Sequence, residues 1–309
     1  MVGVDAPPMD CSFRFVDWAA LESVAHAKPV IPGLLNEGES GSLIAQAGVG
    51  KSLLTLEVAV ALSLGLPVLG EPANAPINVM YIDLENSEAE LADRLRSMGI
   101  APHLLNDRLS YASFPDLPPL NTVEGGRVLA LAAEAFNPQL IVLDTISRLI
   151  GGNEDSAETW QSFYRYAMVP LKRQNRTVLR LDHQGHDSSK GARGSSAKRD
   201  DVDVAWIMQN KNNNITLTCN KGRGLGHPEK IELRRHSDPL RHLPHVSRSK
   251  EQDCREALDR LEVPLSATRD DAGDILRSHG YQFRNEVVGA AVKARRPSPS
   301  HGTADPRDG

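Results

Sequence analysis

Cysteine is nearly missing from this 309-residue chain: Cys11, Cys219 and Cys254 are far apart and show no CxxC spacing. That scarcity excludes a disulfide framework and a cysteine-built zinc site, and it fits a reducing, cytoplasmic setting. Long hydrophobic runs are also lacking. No stretch of about 18 apolar residues occurs, and the opening MVGVDAPPMD has no basic segment followed by an apolar core. The chain is therefore expected to be neither exported nor membrane-spanning. Neither sign of charge dominates: 35 Lys and Arg against 40 Asp and Glu leave a formal net charge of −5. An indiscriminate nucleic-acid coat is excluded, while local basic loops remain possible. Internal repeats are absent too, which sets aside solenoids and propellers.

What is present is an ordinary globular composition, 40% hydrophobic and 24% charged. Residues 1 to about 15 are polar and contain proline, and the tail PSPSHGTADPRDG has too little apolar content to offset the entropy of ordering, so both ends are expected to be loose. Between them, short apolar, β-branched runs recur: SLIAQ at Ser42–Gln46, INVMYIDLE at Ile77–Glu85, QLIVLD at Gln139–Asp144 and TVLRLD at Thr177–Asp182. Their lengths and bounding turn residues predict buried strands. Helical patterns separate them: Ser52–Leu64, Ser87–Met98 with a Ser87/Glu90 capping box, Glu124–Ala135 and Ala157–Gln174. The alternation predicts an α/β fold with a mainly parallel sheet covered on both faces.

After Asp182, the segments VDVAWIMQ, KNNN, ITLTCN and KIELRR predict consecutive strands that extend the sheet antiparallel. From Ser249 onward CREALDRL, SATRDDAGDILRSHG and NEVVGAAVKARR predict three short helices. The expected organisation is an extension over 1–28, an α/β domain over 29–247, a small helical module over 248–296 and a tail over 297–309.

The strongest chemical signal is AQAGVGKS, Ala45 to Ser52, placed directly after a strand and before a helix. Gly48 and Gly50 let the backbone curl until several N–H groups face one concavity, and the next helix adds its positive end. A polyphosphate cup spanning Ala47, Gly48, Val49, Gly50, Lys51, Ser52 and Leu53 is the expectation, with ATP and Mg²⁺ as cofactors. Lys51 would reach the terminal phosphates and the Ser52 hydroxyl would ligate Mg²⁺. Ala45 stands where the usual pattern has its first glycine. Asp144, ending an apolar strand, is the expected second holder of the Mg²⁺ shell. In MYIDLENS, period-two alternation puts Tyr81, Asp83 and Glu85 on one side of a strand. Glu85, at the carboxyl end, is the better base for polarising water, with Asp83 as the alternative.

Taken together, from about Pro29 to Leu233, these residues resemble the RecA-like P-loop ATPases, in particular the RepA-type hexameric replicative helicases of plasmids and phages and their DnaB-like relatives. The resemblance implies a RecA-like core and favours Glu85 as catalytic glutamate. It makes LDTISRL a Walker B strand and LDHQGHD a sensor strand with His183 reading the γ-phosphate. It makes Lys221 and Arg223 of NKGRGLG a pair reaching a neighbouring subunit's γ-phosphate, so that hydrolysis would need a homo-oligomer, a hexameric ring. The basic loop HDSSKGARGSSAKR, with Lys190, Arg193, Lys198 and Arg199, suits the backbone of single-stranded DNA; it lacks aromatics for base stacking. The terminal helices are similar to winged-helix appendages that engage DNA, a primase or an initiator protein. The implied activity is ATP-dependent unwinding. A recombination or repair ATPase and a slow ATP-dependent switch are the alternatives.

Overall fold

The computed structural model describes residues 16–23, 27–72, 74–184, 200–224, 226–245 and 250–295. A short helix α1 (Trp18–Leu21), capped by Asp17, and a hairpin of β1 (Pro29–Ile31) and β2 (Leu35–Asn36) precede the main sheet. Then strand and helix alternate: β3 (Ser40–Ala45), α2 (Lys51–Leu64), β4 (Val79–Asp83), α3 (Glu88–Met98), β5 (Leu109–Ser113), α4 (Val123–Phe136), β6 (Leu140–Asp144) and α5 (Ile146–Leu149). α6 (Ala157–Phe163), α7 (Val169–Arg173) and β7 (Thr177–His183) follow. β8 (Val204–Lys211), β9 (Asn214–Gly222), β10 (Lys230–Ser237) and β11 (Leu240–Pro244) complete a nine-stranded sheet in the order β11-β10-β9-β8-β3-β7-β6-β4-β5. The six strands from β8 to β5 in that order run parallel, and β9, β10 and β11 continue antiparallel. This is the mixed, mainly parallel sheet of a RecA-like P-loop core.

Period-two alternation sends neighbouring strand residues to opposite faces, and each face has its own core. Leu43, Tyr81, Val142 and Leu181 pack on the face that α2 and α3 cover, whereas Met80, Ile82, Ile141 and Leu143 pack with Trp160, Phe163 and Leu171 on the other. The Ser87/Glu90 capping box at the start of α3 forms as predicted. The single helix expected over Ala157–Gln174 is instead divided by a widened π segment, Tyr164–Met168. Pro170 explains the break, because its ring displaces the carbonyl four residues earlier, that of Tyr166. That carbonyl lies against Gly126 of α4, where a Cβ would stand 2.1 Å from it, so only glycine admits the approach.

The chain divides into two compact units, Met1–Pro244 and His245–Gly309. In the second, α8 (Lys250–Arg260), α9 (Arg269–Ser278) and α10 (Asn285–Arg295) bury Cys254, Leu258, Leu276 and Val288 in a small core of their own. Among its described residues there is no strand. No described helix is long and apolar enough to cross a membrane.

Candidate nucleotide site

The sheet order decides what meets at its carboxyl edge. β7 lies between β3 and β6, with Ala45 opposite His183, and β6 lies beside β4, with Asp83 opposite Asp144. The loop after β3, His183, Asp144 and the turn after β4 therefore stand side by side. The connection from β3 through α2 to β4 skips two strands, opening the crevice where doubly wound sheets hold ligands. A cavity of about 590 Å³ fills that crevice, lined by Gly48, Gly50, Lys51 and Ser52 and by Glu85 and His183.

Gly48 and Gly50 take positive φ, +78° and +105°, which lets successive amides turn inward ahead of α2. Lys51 is 7% exposed; its Nζ donates to Ala45 O at 3.3 Å and lies 3.5 Å from His183 Nδ1. Burial pulls its pKa down, and Glu85, Asp144 and Asp182 push it back up. Since an ammonium only donates, Nδ1 is the acceptor and Nε2 carries the proton, which points at Glu85 Oε1, 3.2 Å away. His183 is the last residue of β7 rather than the first after it.

The turn after β4 differs from the expectation in a way that matters. β4 stops at Asp83, so strand alternation does not carry Glu85 into the cavity. Asp83 itself peels the chain off the sheet: it is fully buried and accepts from Glu85 N at 2.7 Å, Asn86 N at 3.0 Å, Asn86 Nδ2 at 2.8 Å and the Tyr111 hydroxyl. Glu85 is delivered by that turn and reaches His183 and, at 3.5 Å, Arg148 Nε. Of the two carboxylates, Glu85 lines the cavity and Asp83 shapes the turn.

Asp144 is buried and accepts from the Tyr81 hydroxyl at 2.7 Å, while its Oδ1 has no hydrogen-bond partner. Burial raises its pKa to about 6; the Tyr81 and Ser52 hydroxyls oppose the rise, and Asp83 and Glu85 add to it. An orphaned carboxylate oxygen beside the Ser52 hydroxyl is the donor set for one Mg²⁺ ligand and one Mg²⁺-bound water, so the residues fit the ion. When bound, Mg²⁺ would neutralise charge on the phosphate oxygens.

Asp144 then has a measurable cost. With the folded pKa near 6 and the ordinary value 3.8, the native chain takes up a proton between about pH 4 and pH 6 that the unfolded chain does not. The contribution of this carboxyl to stability therefore falls as pH rises through that window. Asp144→Asn is expected to raise apo stability above pH 6 by on the order of 1–3 kcal/mol, the gain vanishing below about pH 4. Thermal melts with chelator across that range measure it; a variant less stable at pH 8 would contradict the assignment.

Three cations were not anticipated from sequence. Arg148, on α5, follows Asp144 by one turn, and a base so close after a strand-end acid was a readable signal. Arg94, on α3, donates to Asn86 Oδ1 at 2.5 Å and also lines the cavity. Arg235 comes from β10 and has no local signal in the sequence.

The structure keeps Lys221 and Arg223 apart from this cavity. Lys221 is the penultimate residue of β9, opposite Ala205 and level with Ser42 of β3, and Arg223 N bonds Asp203 O at 2.9 Å, near the start of β3. Their side chains donate to Asp200 O at 3.2 and 2.5 Å. Lys190, Arg193, Lys198 and Arg199 lie outside the described residues, as do both chain ends expected to be loose.

No curated protein matches the chain. A family model described as an AAA domain matches residues 7–189, more than half of the sequence and the part that holds the P-loop, Glu85, Asp144 and His183. With a P-loop at the edge of a mainly parallel sheet and that match, the chain is a P-loop ATPase and belongs to the AAA domain family.

Proposed function

We propose that the chain is a subunit of a hexameric DNA helicase, hydrolysing ATP at subunit interfaces and moving along single-stranded DNA. The observation that supports it most is the separation of Lys221 and Arg223 from their own cup: along β3, Lys221 stands about 10 Å and Arg223 roughly 17 Å back from the end that carries the P-loop. Cations that cannot serve their own nucleotide are suited to completing a neighbour's, where they would neutralise charge as water attacks. In the same reading Glu85 polarises that water, His183 orients Glu85 and senses the terminal phosphate, and Lys190, Arg193, Lys198 and Arg199 track the DNA backbone.

ATPase rate with and without single-stranded DNA, together with unwinding of a forked duplex, tests the proposal. Stimulated hydrolysis with unwinding is expected. Stimulation with filament formation would favour a recombination ATPase, and neither would favour a switch. Action across the interface has its own test. Arg223→Ala, inactive alone, is expected to regain part of its hydrolysis when mixed with Lys51→Ala, because an intact cup of one subunit and an intact Arg223 of its neighbour meet at mixed interfaces. No recovery in rings shown to be mixed would count against it.

A further inference from the structure

The turn between β8 and β9 leans on the P-loop, and its sequence explains how. Asn212 and Asn213 take left-handed backbone, φ +53° and +66°, the conformation that tight two-residue hairpin turns require and asparagine tolerates. From this turn a chain of amides runs in both directions. Asn210 Nδ2 donates to Val49 O of the P-loop at 3.3 Å, and Asn210 Oδ1 accepts from Asn213 N at 3.1 Å. Asn213 then takes hold of Arg235 twice over. Its backbone oxygen accepts from Arg235 N at 2.8 Å, and its Oδ1 accepts from Arg235 Nη2 at 2.8 Å and Nε at 3.2 Å.

The result is a guanidinium fixed against the lip of the cup. A Cβ at Gly50 would stand 3.1 Å from Arg235 Nη1, which sets the guanidinium close beside the P-loop backbone. Arg235 lines the main cavity and also a second polar recess of about 360 Å³, floored by Ala47, Gly48 and Val49 and walled by the three asparagines. The other cations of the cavity have acids near them: Arg148 has Glu85, Lys51 lies near Glu85 and Asp144, and Arg94, held by the Asn86 amide, acts electrostatically on Glu90. Among the described residues, Arg235 makes no ion pair. Its side-chain acceptor among those residues is a neutral amide that uses Nε and Nη2 and leaves Nη1 turned to the loop. A guanidinium at the lip of the cup, held by a turn through a neutral amide and without an ion pair among the described residues, is a site for an anion.

We propose that Arg235 is a phosphate-contacting cation supplied in cis, with Asn213 as its positioning residue and Asn210 tying both to the P-loop. This rests on the cup binding nucleotide, as the P-loop reading requires, but not on helicase activity or on a ring. It also gives the antiparallel strands a part in the nucleotide site, although they lie beyond the stretch matched by the AAA domain model.

Equilibrium binding of a fluorescent ATP analogue to the full chain with Mg²⁺, without DNA, tests the proposal, with ADP and inorganic tripolyphosphate as competitors. Arg235→Ala is expected to weaken ATP and tripolyphosphate alike, by roughly tenfold to a hundredfold, the range for a hydrogen bond to a charged group. Arg235→Lys should recover part of that loss, since it keeps the charge and loses the fork. Asn213→Ala should show a smaller loss of the same kind, with thermal stability little changed. Weakened ATP with unaltered tripolyphosphate would place the contact on the base or sugar and overturn the phosphate assignment. Unchanged binding in both Arg235 variants would overturn it outright. Should Arg235→Ala fold poorly, Arg235→Lys and Asn213→Ala decide by the same competition. A wild-type chain that takes up no nucleotide would remove the P-loop reading first, a failure distinct from these.

Discussion

Glu85→Gln is expected to bind MgATP as the wild type does and to hydrolyse it about 10²- to 10⁴-fold more slowly, the usual worth of a positioned general base. The substitution keeps the volume and a hydrogen-bonding oxygen for His183 and Arg148, so the turn after β4 should hold its shape. What it removes is a carboxylate able to accept a proton from water. The geometry makes this a sharp test, because the nearby acids are otherwise engaged. Asp83 has its oxygens taken by the turn and by Tyr111, and Asp144 has one oxygen held by Tyr81 and the other left for the Mg²⁺ shell beside Ser52. Single-turnover hydrolysis by Glu85→Gln at the wild-type rate, with binding confirmed, would move the base elsewhere.

How Glu85 arrives in the site shows where sequence reasoning succeeds and where it stops. The P-loop, the strand ending at Asp144 and the α3 capping box are local patterns, each set by residues within a few positions, and each stands where the pattern put it. Alternation along a strand is the wrong reason for the position of Glu85, because it cannot register that Asp83 folds its side chain back onto the next two amides and ends the strand. β5 was missed because LSYAS is half-buried at the sheet edge and carries no β-branched run to mark it. The division of the helix after Ser156 follows from one proline that the periodicity averaged over. Arg235 was beyond reach for a different reason. It meets the P-loop through a hairpin turn and a strand pairing nearly two hundred residues along the chain, contacts that no local window contains.

Lys51→Ala is expected to abolish MgATP-dependent stabilisation and to cut affinity by about a hundredfold or more, the largest binding loss of any single change in the cup. The reason lies in the balance of charge. Glu85 and Asp144 both act on Lys51 electrostatically. Without the ammonium, a polyphosphate entering the cavity would meet two carboxylates and lose its most deeply buried cation. The apo fold should not suffer. Burial already lowers the pKa of Lys51, so its charged form is held at a cost that alanine does not bear. Ligand stabilisation scales as RT ln(1 + [L]/Kd), about 2.7 kcal/mol at a hundredfold excess over Kd. A thermal melt therefore separates the two effects: the variant alone should melt no lower than wild type, and adding MgATP should leave its transition in place. A nucleotide-induced shift as large as that of the wild type would mean that Lys51 does not hold the phosphates.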